Sequence, residues 1–196
     1  MVKINIKKLS IEETKYVYDH HMPEDFPPAE VKPWAFILPL LQNGCYNGYG
    51  FFEASELLGY AFVCLSESKE DVLLDYYAVS SLHRNRKFGS IFLTMLYEEL
   101  KGQIRSLIGE MENPAFAVEQ SDKDLRQRRL GFYERNSWRH TGVLCRIWGI
   151  EYVVMAVDMV GKIDDQSIID ALDSIYGMFF SPEIKENEVR LRLLDS

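Results

Sequence analysis

Between Asp71 and Lys101 an apolar strand, a basic turn and an amphipathic helix follow one another almost without a break, and this is the sharpest local signal in the chain. Leu73-Leu74-Asp75-Tyr76-Tyr77-Ala78-Val79 is interrupted only by Asp75, so the spacing predicts a strand over 71–79 buried inside a sheet. Phe92, Met95, Leu96 and Leu100 recur at three- and four-residue intervals and predict a helix over 89–101 with one apolar side. The joining turn reads Arg84-Asn85-Arg86-Lys87-Phe88-Gly89-Ser90. A turn that feeds straight into a helix aims free backbone N–H groups and the positive end of the helix dipole at one point, which favours an anion. Arg84, Arg86 and Lys87 add charge there, and Gly89 has no side chain to block a phosphate. The same turn also reads as an ordinary solvated connection.

The rest of the chain supplies alternating elements. Val2 to Ile6 alternates as a strand, and Ser10 with Glu13 forms the start of a helix by a capping box. Five prolines lie from Met22 to Pro39 among Phe26, Trp34 and Phe36, which predicts an irregular aromatic segment, then a short helix toward Gln42. Strands are expected over 45–53 and 57–65, joined by Ala54-Ser55-Glu56 as a hairpin. After the helix, strand 106–111 halts at Asn113-Pro114, a charged helix covers 122–136, and strands cover 142–147 and 151–158. Ile168, Leu172, Ile175 and Phe179 then keep helical spacing up to a stop at Pro182, and Val189, Leu191 and Leu193 alternate. We expect one mixed α/β domain over 1–160, with 161–196 a helix-strand extension packed on it.

Composition removes several function classes. A net charge of −8 argues against a general nucleic-acid binder and is compatible with a cationic amine partner. No apolar run is long enough to span a bilayer and the N-terminus lacks a signal-peptide core, so we expect a cytoplasmic protein without membrane partners. Cys45, Cys64 and Cys145 sit in apolar surroundings and read as buried thiols. His20, His21, His83 and His140 do not keep a metal-ligand spacing, and no metal is expected.

The turn and a second segment together resemble the GNAT superfamily of acyl-CoA-dependent N-acetyltransferases. That family's pyrophosphate loop follows the pattern Arg or Gln, any, any, Gly, any, Gly or Ala. Arg84 and Gly89 match, whereas Asn85 and Lys87 stand where many members have glycine. Gly131-Phe132-Tyr133-Glu134-Arg135-Asn136-Ser137-Trp138 is similar to the family's Phe-Tyr-Glu-Lys-x-Gly-Phe segment. The resemblance implies a GNAT-like fold, with a mostly antiparallel sheet splayed at the cofactor site and helices on both faces. It further implies that acetyl-CoA is the cosubstrate, with its phosphates on Arg84, Asn85, Arg86, Lys87, Phe88, Gly89 and Ser90. Main-chain groups of Ala78 and Val79 would hold the acetyl carbonyl and pantetheine arm, and Tyr133 would be the general acid for the departing thiolate.

Amide formation needs a neutral amine, hence a proton acceptor. Glu110 and Glu112 share a face of the predicted strand 106–111 and its end, and Glu112 is preferred because it adjoins Asn113-Pro114; the pair also reads as a solvated strand face. Glu24, Asp25 and Glu30 are alternative contacts for a cationic acceptor, a small molecule in preference to a protein. Retention of Tyr133 favours an enzyme over a non-catalytic CoA-binding or regulatory module. The alternating tail offers an edge to a second copy of the chain, hence a homodimer.

Overall fold

The computed structural model describes residues 4–84 and 86–194. Among the described residues eight strands form one sheet in the order β1-β2-β3-β4-β5-β7-β6-β8, and seven α-helices accompany them. The strands are β1 (Ile4–Lys8), β2 (Tyr46–Glu53), β3 (Glu56–Leu65), β4 (Asp71–Val79), β5 (Ser106–Glu112), β6 (Arg139–Ile147), β7 (Ile150–Asp158) and β8 (Val189–Leu193). The helices are α1 (Ile11–His20), α2 (Met22–Asp25), α3 (Trp34–Gln42), α4 (Phe88–Leu100), α5 (Gln120–Arg135), α6 (Asp165–Phe179) and α7 (Pro182–Glu188). The chain packs as two compact units, Met1–Cys64 with Leu74–Lys101, and Leu65–Leu73 with Gly102–Ser196.

In the first unit, β1 and β3 flank β2 in antiparallel register, and Glu53 pairs with Glu56 across a tight turn at Ala54-Ser55. Ala54 adopts the left-handed conformation such a turn requires (φ 53°). Phe51 of β2 stacks on Phe92 of α4 at 4.9 Å. Gly48, three residues away and therefore on the other face, backs onto Thr14 of α1, where a Cβ would lie 2.6 Å from the hydroxyl. Helices thus cover both faces of this half of the sheet. The α1 start is the expected capping box, with Ser10 Oγ accepting from Glu13 N–H and Glu13 accepting from Ser10 N–H. The first strand begins with Ile4 among the described residues, and Val2 of the expected strand lies outside them.

In the second unit, Asp71, Val72 and Leu73 pair in parallel with Ser106, Leu107 and Ile108, and β7 and β6 continue antiparallel. A mostly antiparallel sheet with this parallel junction agrees with the expected class. Ser106 and Arg105 both donate to the buried Asp71 carboxylate, at 2.6 Å in each closest contact. The α6 face of Ile168, Leu172, Ile175, Tyr176 and Phe179 is buried, and Asp164 caps its first turn through Ser167 N–H at 2.9 Å. Helix α6 ends at Phe179, ahead of the expected stop at Pro182, and a further helix, α7, starts at that proline. Proline fits the first helical turn because its missing N–H has no partner there anyway, and Ser181 precedes it as the cap. The tail strand pairs with β6. All three cysteines are buried, with no disulfide. No helix among the described residues is long and apolar enough to cross a membrane.

Candidate functional site

The anion-directed turn is built as follows. Ala78 is buried and Val79 half-buried at the end of β4, and Ser80 N–H donates to Leu58 O at 2.9 Å. A 3₁₀ turn over Ser81–His83 follows. Lys87 then takes a left-handed conformation (φ 63°) and starts α4 with no side-chain cap. The N–H groups of the first turn, at Phe88, Gly89 and Ser90, are therefore those an α-helix leaves without intrahelical partners. Tyr77 fastens this turn to the strand, its hydroxyl donating to Gly89 O at 2.5 Å. Phe88 packs edge-on against Phe51 at 5.9 Å. Arg86 and Lys87 are exposed, and Asn85 lies outside the described residues.

Arg84 is tied more closely than its place in the turn suggests. Its Nε donates to Val79 O at 3.1 Å and its Nη2 to Asp25 Oδ1 at 2.7 Å. The other Asp25 oxygen accepts from the Tyr60 hydroxyl at 3.0 Å. In the sequence Asp25 is only an alternative contact for a cationic acceptor. Its pairing with a residue 59 positions away leaves no local signal.

A second polar group joins β4 to the proline-rich segment. Asp75, the charged interruption of the strand, accepts from Lys32 Nζ at 2.5 Å and from the Tyr46 hydroxyl at 2.6 Å. The Tyr76 hydroxyl accepts from Lys32 N–H and donates to Glu30 O. Burial, then the Asp75 charge, pushes both phenols well above their ordinary range. Of the other acidic candidates in this segment, Glu24 lines a small pocket with Asp25 and Tyr60.

The remaining expected residues belong to the second unit. Glu110 accepts a short hydrogen bond from the buried Tyr176 hydroxyl. The neighbouring Cys145 thiol is pushed far up by burial and then by the Glu110 charge. Glu112 is paired through both oxygens, with Arg126 at 3.2 Å and Arg129 at 3.1 Å. Arg129 lies one turn before Tyr133 on α5, so Glu112 and Tyr133 share one guanidinium neighbour. The Tyr133 ring is half-buried and meets Trp138 edge-on at 5.1 Å. Trp138 in turn occupies space left by Gly109 of β5, where a Cβ would fall 2.8 Å from the indole. Burial raises the phenol to about 12, with the Arg129 charge opposing. The hydroxyl makes no hydrogen bond among the described residues. After Tyr133 the helix closes at Asn136, and Ser137 adopts a left-handed conformation (φ 71°) where the similar family segment carries glycine.

No protein-family model matches the chain, and no curated protein matches it in sequence. Solved structures do match in shape. A GNAT-family protein of Bacteroides thetaiotaomicron aligns with a TM-score of 0.65 at 18% identity, over 85% of this chain and 92% of that one. The chain has the GNAT acetyltransferase fold. The Escherichia coli ribosomal-protein-S18-alanine N-acetyltransferase aligns with a TM-score of 0.59 at 14% identity, over 83% of this chain and 98% of that one. A Vibrio cholerae spermidine N-acetyltransferase, in complex with CoA and spermine, gives 0.59 at 7% identity, over 80% and 95%. These GNAT structures share the architecture at identities that leave side chains free to diverge.

Proposed function

We propose that the chain is an acetyl-CoA-dependent N-acetyltransferase acting on an amine, with Arg84 through Ser90, Asn85 included, as the pyrophosphate loop. The observation that carries this reading is the left-handed turn at Lys87 opening an uncapped α4 at the end of the connection from β4, on a GNAT fold. Solved GNAT neighbours carry CoA, which supports the choice of cosubstrate. Main-chain groups of Ala78 and Val79 take the thioester carbonyl and pantetheine arm, once Arg84 leaves the Val79 oxygen.

The chemistry needs no covalent enzyme intermediate. The neutral amine attacks the thioester carbonyl, the N–C bond forms, the C–S bond breaks, and the amine proton ends on the CoA sulfur. Tyr133 serves as hydrogen-bond donor to that sulfur. With the phenol near 12 and an ordinary thiol near 8.5, outright proton transfer to a free thiolate is uphill by about 5 kcal/mol. A donated hydrogen bond to developing charge avoids that cost. Glu112 is the favoured proton acceptor because Arg129 is its neighbour and also Tyr133's, whereas Glu110 is fixed by Tyr176. To act, Glu112 must be released from Arg126 or Arg129.

The acceptor class is a small amine, and the compartment the cytoplasm. We further propose one functional domain over 1–160 carrying the 161–196 extension, and self-association through β8, the last strand of the sheet. The engagement of both Glu112 oxygens favours one second reading, a CoA-binding module without turnover. A panel of amines assayed for free CoA thiol separates the two. Thiol release with some amine supports the transferase; binding of acetyl-CoA with no thiol release across the panel supports the module.

A further inference from the structure

The ion pair between Arg84 and Asp25 is lopsided. The Arg84 side chain is 52% exposed and the Asp25 side chain 9%. The guanidinium can therefore swing into solvent, and the carboxylate cannot follow it. The Tyr60 phenol is pushed far above its ordinary range by burial and then by the Asp25 charge, so it stays a neutral donor to Asp25 at any working pH. When Arg84 turns away, Asp25 keeps one neutral hydrogen bond and loses its cation. A buried carboxylate without a cation is strongly disfavoured and draws in a replacement.

The space beside it is small. His21, Glu24, Leu57, Gly59 and Ser80 line a pocket with Asp25 and Tyr60 of about 10 Å³, which is room for roughly one water. Glu24 adds negative potential, and the Tyr60 phenol feels it. The pocket is thus acidic, and the cation paired with its Asp25 is the arginine that the proposed cofactor's phosphates would attract.

Resting on the acetyl-CoA reading above, we propose that Asp25 anchors a protonated nitrogen of the acceptor, and that Arg84 blocks this anchor until a cofactor phosphate draws the guanidinium away. Cofactor and cationic acceptor then bind with positive coupling, and each raises the affinity of the other by the same factor. Because the attacking nitrogen must be neutral, the anchored ammonium is a second basic group. The substrate class is a diamine, a polyamine or an amine carrying another cation.

The test is a calorimetric titration of 1,4-diaminobutane into the protein alone and into the protein saturated with CoA, with 1-butanol as the uncharged probe. The expected result is a rise in diamine affinity of about 5- to 150-fold with CoA present, and none for the alcohol. Arg84→Gln should let the diamine bind the CoA-free protein as tightly as it binds the wild-type CoA complex. Asp25→Asn should abolish the coupling, and Tyr60→Phe, which keeps both charges, should retain it. If Asp25→Asn does not fold, Arg84→Gln decides the matter alone. CoA binding with a diamine affinity that is equal in both states, or no diamine binding in any state, overturns the inference and leaves the cofactor reading standing. Failure of CoA itself to bind the wild type overturns the cofactor reading, and the inference with it.

Discussion

Burial lifts the Tyr133 phenol to about 12 although Arg129, one helical turn away, pulls it down. The donor form is the protonated one and is lost only as pH rises through that value. Activity between pH 7 and 10 should therefore show no alkaline limb from this residue. Tyr133→Phe keeps the ring against Trp138 and removes only the donor. A hydrogen bond to developing charge contributes about 1.5 to 3 kcal/mol, so kcat should fall roughly 10- to 150-fold with acetyl-CoA affinity unchanged. An unchanged kcat in steady-state assays would leave Tyr133 as packing alone. The Cys64 and Cys145 thiols are both raised by burial first, and then by the charges of Asp75 and Glu110 respectively. Neither should react with an alkylating reagent in the native protein, and both should react in denaturant, read by intact mass. The cysteines were legible in sequence because their neighbours are apolar. The pairing of Asp25 with Arg84 was not, since nothing in local spacing connects a proline-rich loop to a basic turn.

At the scale of elements, strands announced themselves most clearly. The apolar run over 71–79 became β4 with both ends as expected, because a strand buried among others admits few polar residues. Helix α7 was missed because Pro-Glu-Ile-Lys-Glu-Asn-Glu carries one large apolar side chain and so no periodicity to read. The turn after α5 holds Ser137 at φ 71°, a conformation that costs residues other than glycine about 1 kcal/mol. Ser137→Gly should stabilise the protein by roughly 0.5 to 1 kcal/mol in urea unfolding, because the relief of strain exceeds the added freedom of the unfolded chain. A loss of stability would mean the serine side chain is needed there. On β6 and β7, Arg139 grips Asp158 at 2.6 and 2.9 Å and also reaches Ile163 O. Burial acts to raise the Asp158 carboxyl, but the Arg139 and Ile163 N–H bonds prevail and hold it below 3.8. Its stabilisation is present above that pH and is lost as pH falls through the folded value. Arg139→Ala should cost about 2 kcal/mol at pH 7, a buried-pair loss reduced by solvent access. The gap between variant and parent should narrow below pH 3.8; a gap independent of pH would show that packing, not charge, makes up the loss.

For the whole molecule, the order of strands and helices carried the fold, while the candidate site was legible only in part. The basic turn and the Phe132-Tyr133 segment stood out because each couples a local motif to an element boundary. The glutamate pair showed its face on β5, but Arg126, Arg129 and Tyr176, which engage it, come from α5 and α6 and share no period with it. The proposed function rests on acetyl-CoA binding through the turn before α4. Isothermal titration of acetyl-CoA into the protein at low ionic strength tests it most directly, with Lys87→Glu beside the wild type. Saturable binding of one acetyl-CoA per chain is expected, weakened about tenfold or more by Lys87→Glu, since reversing an exposed charge beside a phosphate site turns attraction into repulsion. Absence of binding to a wild-type protein that melts cooperatively, or equal affinity in the two proteins, would contradict it.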